Sequence, residues 1–312
     1  MPLDLDVLQT IQAHFGHPAR PSHMTQQPVH SGPPDFYRQH LSPADSLISP
    51  ELLAVFCNDL MNHPDPDPEL GRYLLPYCLA GWDQAIRHQD EAYAAISDGL
   101  WNGLLPEGTI RPWLTGDEWA ALRQFTGNTI LQSMTTMPTL RPARSSNPYF
   151  PPYDWIRHFN AHCCSFTDLE PLWDTWWSHP SIGLAYCAIQ WASRIILHDS
   201  DNRIFNPTAG TLDQGAALLW DTVGLGSGWL PQNALFLKQT LTPKYFAEQF
   251  TMMAARIRPV APNETAVLDL LDQTLQTDQT RIALRLAQLP RLLEDPVLSY
   301  SGWDDAPLEP MA

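Results

Sequence analysis

The chain has 312 residues, with 34 acidic against 18 basic side chains and a formal net charge of −16. Nucleic acid is disfavoured as a partner, because binding it needs positive surface that displaces counterions, and an anionic membrane is disfavoured for the same reason. Apolar residues make up 44% and there are 12 tryptophans, ample core material, so global disorder is excluded.

The opening MPLDLDVLQT lacks the basic and apolar regions of a secretory leader. No apolar run approaches the length that spans a bilayer. Cysteines 57, 78, 163, 164 and 187 are odd in number and show no C-x-x-C spacing. Together these features predict a reduced, cytoplasmic protein. Lysine occurs only at 238 and 244, an arginine bias that matches a high-GC bacterial genome.

Residues 1–48 read as a short helix followed by an extended arm, since HPARPSHMTQQPVHSGPP has many prolines and no periodicity. A helical region follows over 49–137. Ser49-Pro50 sets a cap and an N1 proline, and Leu52, Phe56 and Leu60 repeat at four. NHPDPDPELG (62–71) has the carboxylates of a calcium loop but Leu70 where the loop needs glycine, so it reads as a loop that caps a helix or turns the chain. TGDE (115–118) fits the capping box, in which a threonine oxygen and a glutamate carboxylate satisfy backbone N–H groups at a helix start.

The Pro-rich stretch 138–152 is the expected internal boundary. A second helical region spans 153–294, and 295–312 reads as a loose tail. WIRHFNAHCCSF (155–166) opens the second region and places His158 and His162 four apart, on one helical face, as metallopeptidases do. No acidic residue stands between them. A zinc site here would need His179, His198 or Asp199 to complete it. Helical phase instead makes Trp155, Phe159, Cys163 and Phe166 the buried stripe, with both histidines along its margin. Cys163 and Cys164, late in that helix, read as buried free thiols rather than nucleophiles.

TDLE (167–170) again fits a capping box, and Pro180 marks another helix start. In EPLWDTWWSHP, Trp173, Trp176 and Trp177 share a face. Such a cluster is usually core; exposed, it would anchor a protein partner. Asp168, Glu170 and Asp174 beside it form a rim suited to a basic surface.

LHDSDNRIFN (197–206) resembles the start of a calcium loop, but Ile204 and Gly210 occupy its glycine and glutamate positions. VGLGSGWLP (223–231) fits neither a dinucleotide fingerprint nor a phosphate loop and reads as a helix end. Thr242-Pro243 caps a further helix. Val267, Leu271 and Leu275, then Ile282, Leu286 and Leu289, are helical stripes. The lone Asp-Asp pair, Asp304-Asp305, lies in the tail, away from any helix that would use it to hold a metal.

No segment alternates with a period of two between turn dipeptides. The reading is therefore all-α, about nine to twelve helices, as an irregular multi-helix bundle or a HEAT-like array of helical hairpins. The array is suggested by Trp82, Trp119, Trp155, Trp191 and Trp229, which lie 37, 36, 36 and 38 residues apart. For function, the residues favour a non-enzymatic acidic protein that binds another protein, of the adaptor or toxin-neutralising immunity type, and no cofactor. The alternative is a metal-dependent enzyme built on the histidine pair.

Overall fold

A computed structural model describes residues 3–21, 48–106, 108–141, 154–166, 168–196 and 228–294. Within them the chain is all-α: twelve α-helices, three single 3-10 turns and no strand. None of these helices is long and apolar enough to cross a membrane. The described residues up to Thr129 form one compact unit, and those from Ile130 form a second. Most of the arm (22–47), residues 142–152 of the Pro-rich stretch, the 197–206 loop and the tail lie outside the described residues.

The first unit holds α1 (Leu5–Phe15), α2 (Pro50–Met61), α3 (Pro68–His88), α4 (Ile96–Leu104) and the first part of α5 (Gly116–Thr135). Its helices start where capping chemistry dictates. Ser49 accepts from the Leu52 N–H, and Asp67 accepts from the N–H groups of Glu69 and Leu70, each ahead of an N1 proline. The α3 helix is the spine and packs on α1, α2 and α4. Its residues Leu74, Cys78 and Trp82 are fully buried, and Trp82 meets Trp101 edge-on at 5.5 Å.

The box at the start of α5 closes as the sequence predicts. The Thr115 N–H donates to Glu118 Oε2 at 2.8 Å, and the Glu118 N–H donates to Thr115 Oγ1 at 3.2 Å. The same carboxylate takes the Arg72 guanidinium, 2.6 Å away, whose other end donates to the Trp113 carbonyl. Burial raises the Glu118 carboxyl pKa, while Arg72 and the Thr115 groups lower it further, leaving it below its ordinary value of 4.5. A depressed folded pKa makes a contribution that is complete above the ordinary value and is lost as pH falls through the folded one. Glu118→Gln is therefore expected to cost about 1 kcal/mol at neutral pH, since Arg72 is partly screened by solvent, and less in acid. Urea unfolding of both proteins at the two pH values checks this.

The second unit comprises the end of α5 with α6 (Asp154–Ser165), α7 (Leu169–Ser178), α8 (Ile182–Ile196), α9 (Pro231–Thr240), α10 (Pro243–Ile257), α11 (Thr265–Thr277) and α12 (Gln279–Glu294). The stripes read from the sequence are buried: Val267, Leu271 and Leu275 on α11, and Ile282, Leu286 and Leu289 on α12. Helix α8 packs against α7, α10, α11 and α12, so the unit is a bundle around a central helix. Residues Ala185, Cys187, Ala188 and Trp191 of α8 are fully enclosed. Arg141 reaches across to Glu264 at 2.6 Å and neutralises that buried carboxylate at the start of α11.

Two expectations need correction. The tryptophans spaced by 36–38 residues do not occupy equivalent places: Trp82 and Trp191 sit late in α3 and α8, Trp119 and Trp155 at the starts of α5 and α6, and Trp229 outside any helix. A central helix with four neighbours is also not the stacking of a hairpin array. Pro180, for its part, precedes α8 by two residues. The cap is Ser181, whose carbonyl takes the Ala185 N–H and whose hydroxyl takes that of Leu184.

Candidate functional site

Helix α7 sorts its side chains by chemistry. Leu169, Leu172, Trp173, Trp176 and Trp177 follow the three-and-four spacing of one face, and all five are buried. Asp168, Glu170 and Asp174 lie off that face and are exposed. The indoles form a lattice. Trp173 stacks on Trp177 at 4.9 Å and meets Trp176 edge-on at 5.2 Å, while Trp176 also meets Trp155 and Phe159 of α6 at 5.5 and 5.1 Å.

Their polar ends are placed as well. The Trp176 Nε1–H donates to the Leu184 carbonyl at 3.1 Å, and the Trp173 Nε1–H donates to the Tyr245 hydroxyl at 2.9 Å. The exposed-anchor reading of Trp173, Trp176 and Trp177 is thereby corrected. They share a stripe with two leucines and belong to the core. What α7 offers a partner is its acidic edge.

That edge has a neighbour the sequence did not reveal. Tyr245, in the first turn of α10, rests its ring 6.0 Å from Trp177 and is half-buried. Burial raises its pKa, the Trp173 N–H lowers it, and the negative charge of Asp174 raises it again. The phenol thus keeps its proton, and its oxygen accepts from Trp173, which leaves its O–H as a donor. Asp168 and Glu170 stand at the N-terminal end of α7, where the helix dipole favours negative charge. At the other end, Arg256 donates to the His179 carbonyl at 2.7 Å, a cation where the dipole favours one. The three carboxylates thus flank the apolar face of a helix, and that face is locked into close aromatic packing.

The histidine helix is differently placed from its expected margin. Trp155, Phe159, Cys163 and Phe166 are buried as helical phase requires, yet His158 and His162 are buried too, each at 3% exposure. Asn160, Ala161 and Cys164 are equally enclosed, so α6 is covered on more than its apolar stripe. Part of the cover is α9 and the residues before it: Leu230 donates its N–H to the Cys163 carbonyl, and Asn233 donates to the carbonyls of Cys163 and Phe166 at 2.9 and 2.8 Å. The His162 ring lies 4.8 Å from that of Phe166.

His179 is exposed at the end of α7, with its Nδ1 accepting the Ser181 N–H, and does not join the pair. His198 and Asp199 lie outside the described residues. Among the described residues no three His, Cys, Asp or Glu side chains form a metal-binding group. All five thiols are buried, and burial pushes Cys163 and Cys187 well up in pKa, the opposite of what activates a nucleophile.

No protein-family model matches the chain, and no curated protein or solved structure is significantly similar to it.

Proposed function

We propose that this chain is a non-enzymatic binding protein, of the adaptor or toxin-neutralising immunity type, whose α7 edge takes a positively charged surface of another protein. One observation carries the reading. The helix that buries three tryptophans holds Asp168, Glu170 and Asp174 outward on the same rigid support, with the half-buried Tyr245 against its Trp177. A rim of fixed charges steers association and selects a partner of opposite sign, and a tyrosine at such a rim contributes both apolar area and a hydrogen-bond donor. The chain's net charge of −16 adds long-range attraction for a basic surface.

The test compares wild-type protein with the Asp168→Asn/Glu170→Gln/Asp174→Asn triple variant. The three positions are exposed, so the variant is expected to fold with stability within about 0.5 kcal/mol of wild type per site. Both are offered extract of the native host, and the retained proteins are identified and titrated back in purified form. The expected result is a basic protein that wild type binds, that raised salt releases, and that the variant binds about tenfold more weakly or worse. Equal binding by both proteins contradicts the proposal, as does retention of no protein by wild type.

A further inference from the structure

The first unit carries a feature that the partner edge does not use. An open groove of about 450 Å³ runs beside α1 and α5, within the range of small-molecule sites. Val7, Ala121 and Phe125 give it an apolar strip, and Arg87, His14 and Asn128 are among its polar walls, with the Asp6 carboxylate at the start of α1.

Arg87 is held by an unusual device. Asp83, one turn earlier on α3, is completely buried. Its Oδ1 accepts from Arg87 Nε at 2.7 Å and from the Thr129 hydroxyl at 2.7 Å. Its Oδ2 is buried too and has no hydrogen-bond partner among the described residues. A buried carboxylate with one oxygen unsatisfied costs folding free energy, and an apolar residue of similar volume would serve packing as well or better. The arrangement therefore does little for the core. What it achieves is to fix the guanidinium by its Nε on the wall of the groove while Nη1 and Nη2 have no partner among the described residues. Two parallel N–H donors on a rigid plane are the complement of a carboxylate, which a flexible ammonium cannot match.

We propose that this groove binds a small organic carboxylate with an apolar body. Its carboxylate sits on Nη1 and Nη2 of Arg87, its body lies against Val7, Ala121 and Phe125, and Asp83 acts as a positioning residue through Arg87. The proposal is independent of the α7 edge.

The side-chain N–H resonances of Arg87 in the full chain report it, with phenylacetate, its neutral isostere phenylacetamide, and acetate as probes. Phenylacetate is expected to shift the Arg87 signal saturably, with the amide and acetate each binding about tenfold more weakly. In Arg87→Gln and Arg87→Lys, whose folding is checked by circular dichroism, binding is read from the backbone N–H resonances of Val7, Ala121 and Phe125. Gln is expected to abolish the preference for acid over amide, while Lys restores only part of it. Asp83→Asn should lower that preference rather than weaken both ligands alike. If circular dichroism shows that this variant fails to fold, the Arg87 pair decides alone. Equal binding of acid and amide, a preference that survives Arg87→Gln, or no saturable shift with phenylacetate would overturn the proposal.

Discussion

Trp176→Ala is expected to destabilise the protein by about 4 kcal/mol, in the middle of the range for deleting a buried aromatic side chain. The residue is fully buried, and its ring meets Trp155, Phe159, Trp173, Trp177 and Trp191 within 6.4 Å. Alanine removes ring contacts with α6, α7 and α8 together, and rigid indoles relax little into the hole. It also leaves the Leu184 carbonyl, the acceptor of the Trp176 N–H, without that donor. Trp176→Phe keeps a ring and loses the N–H, so it should cost about 1–2 kcal/mol. Urea unfolding followed by circular dichroism separates the two, provided the slope with denaturant is unchanged. A cost below about 1 kcal/mol for the alanine variant would mean that the lattice does not hold α7 in place.

Gly99→Ala is expected to cost about 3 kcal/mol by the opposite mechanism, overpacking. A methyl group at Gly99 of α4 would stand 2.8 Å from Cα and 2.9 Å from the backbone nitrogen of Asn58 in α2. Those atoms belong to a helix backbone, so no rotamer change makes room, and α2 and α4 must separate. This is the close approach that only glycine permits. Alanine would otherwise favour the helix by up to about 1 kcal/mol, so even a neutral result would require the contact to be looser than the structure has it. The same urea titration reads the effect.

Much of the fold was legible because it rests on local rules. Caps at Ser49, Thr242 and Thr115–Glu118 are bonds within one turn of the chain, and each forms as its residue types require. The stripes on α6, α11 and α12 follow from the period of the helix. Trouble began where a helix is covered on more than one side. Periodicity shows which face of α6 is most apolar, but not that the histidines are buried as well, nor that Asn233, some 70 residues on, binds the carbonyls of Cys163 and Phe166. The partner edge was half legible. Asp168, Glu170 and Asp174 could be placed on the rim of the tryptophan face by phase alone, whereas Tyr245 arrives through a long-range contact for which nothing in its own segment is a signal. Asp83 was missed for a related reason: an aspartate one turn before an arginine reads as an ordinary surface pair until its complete burial is seen. The tryptophan spacing misled because regular intervals along a chain carry no information about position within a helix.

The acidic edge is tested most directly by carboxylate footprinting of the protein with its captured basic partner. Carbodiimide-driven amidation should label Asp168, Glu170 and Asp174 in the free protein, since all three are exposed. In the complex these three should be protected, while exposed Asp65 and Asp117 are labelled as before. Undiminished labelling of Asp168, Glu170 and Asp174 in the saturated complex would contradict the account.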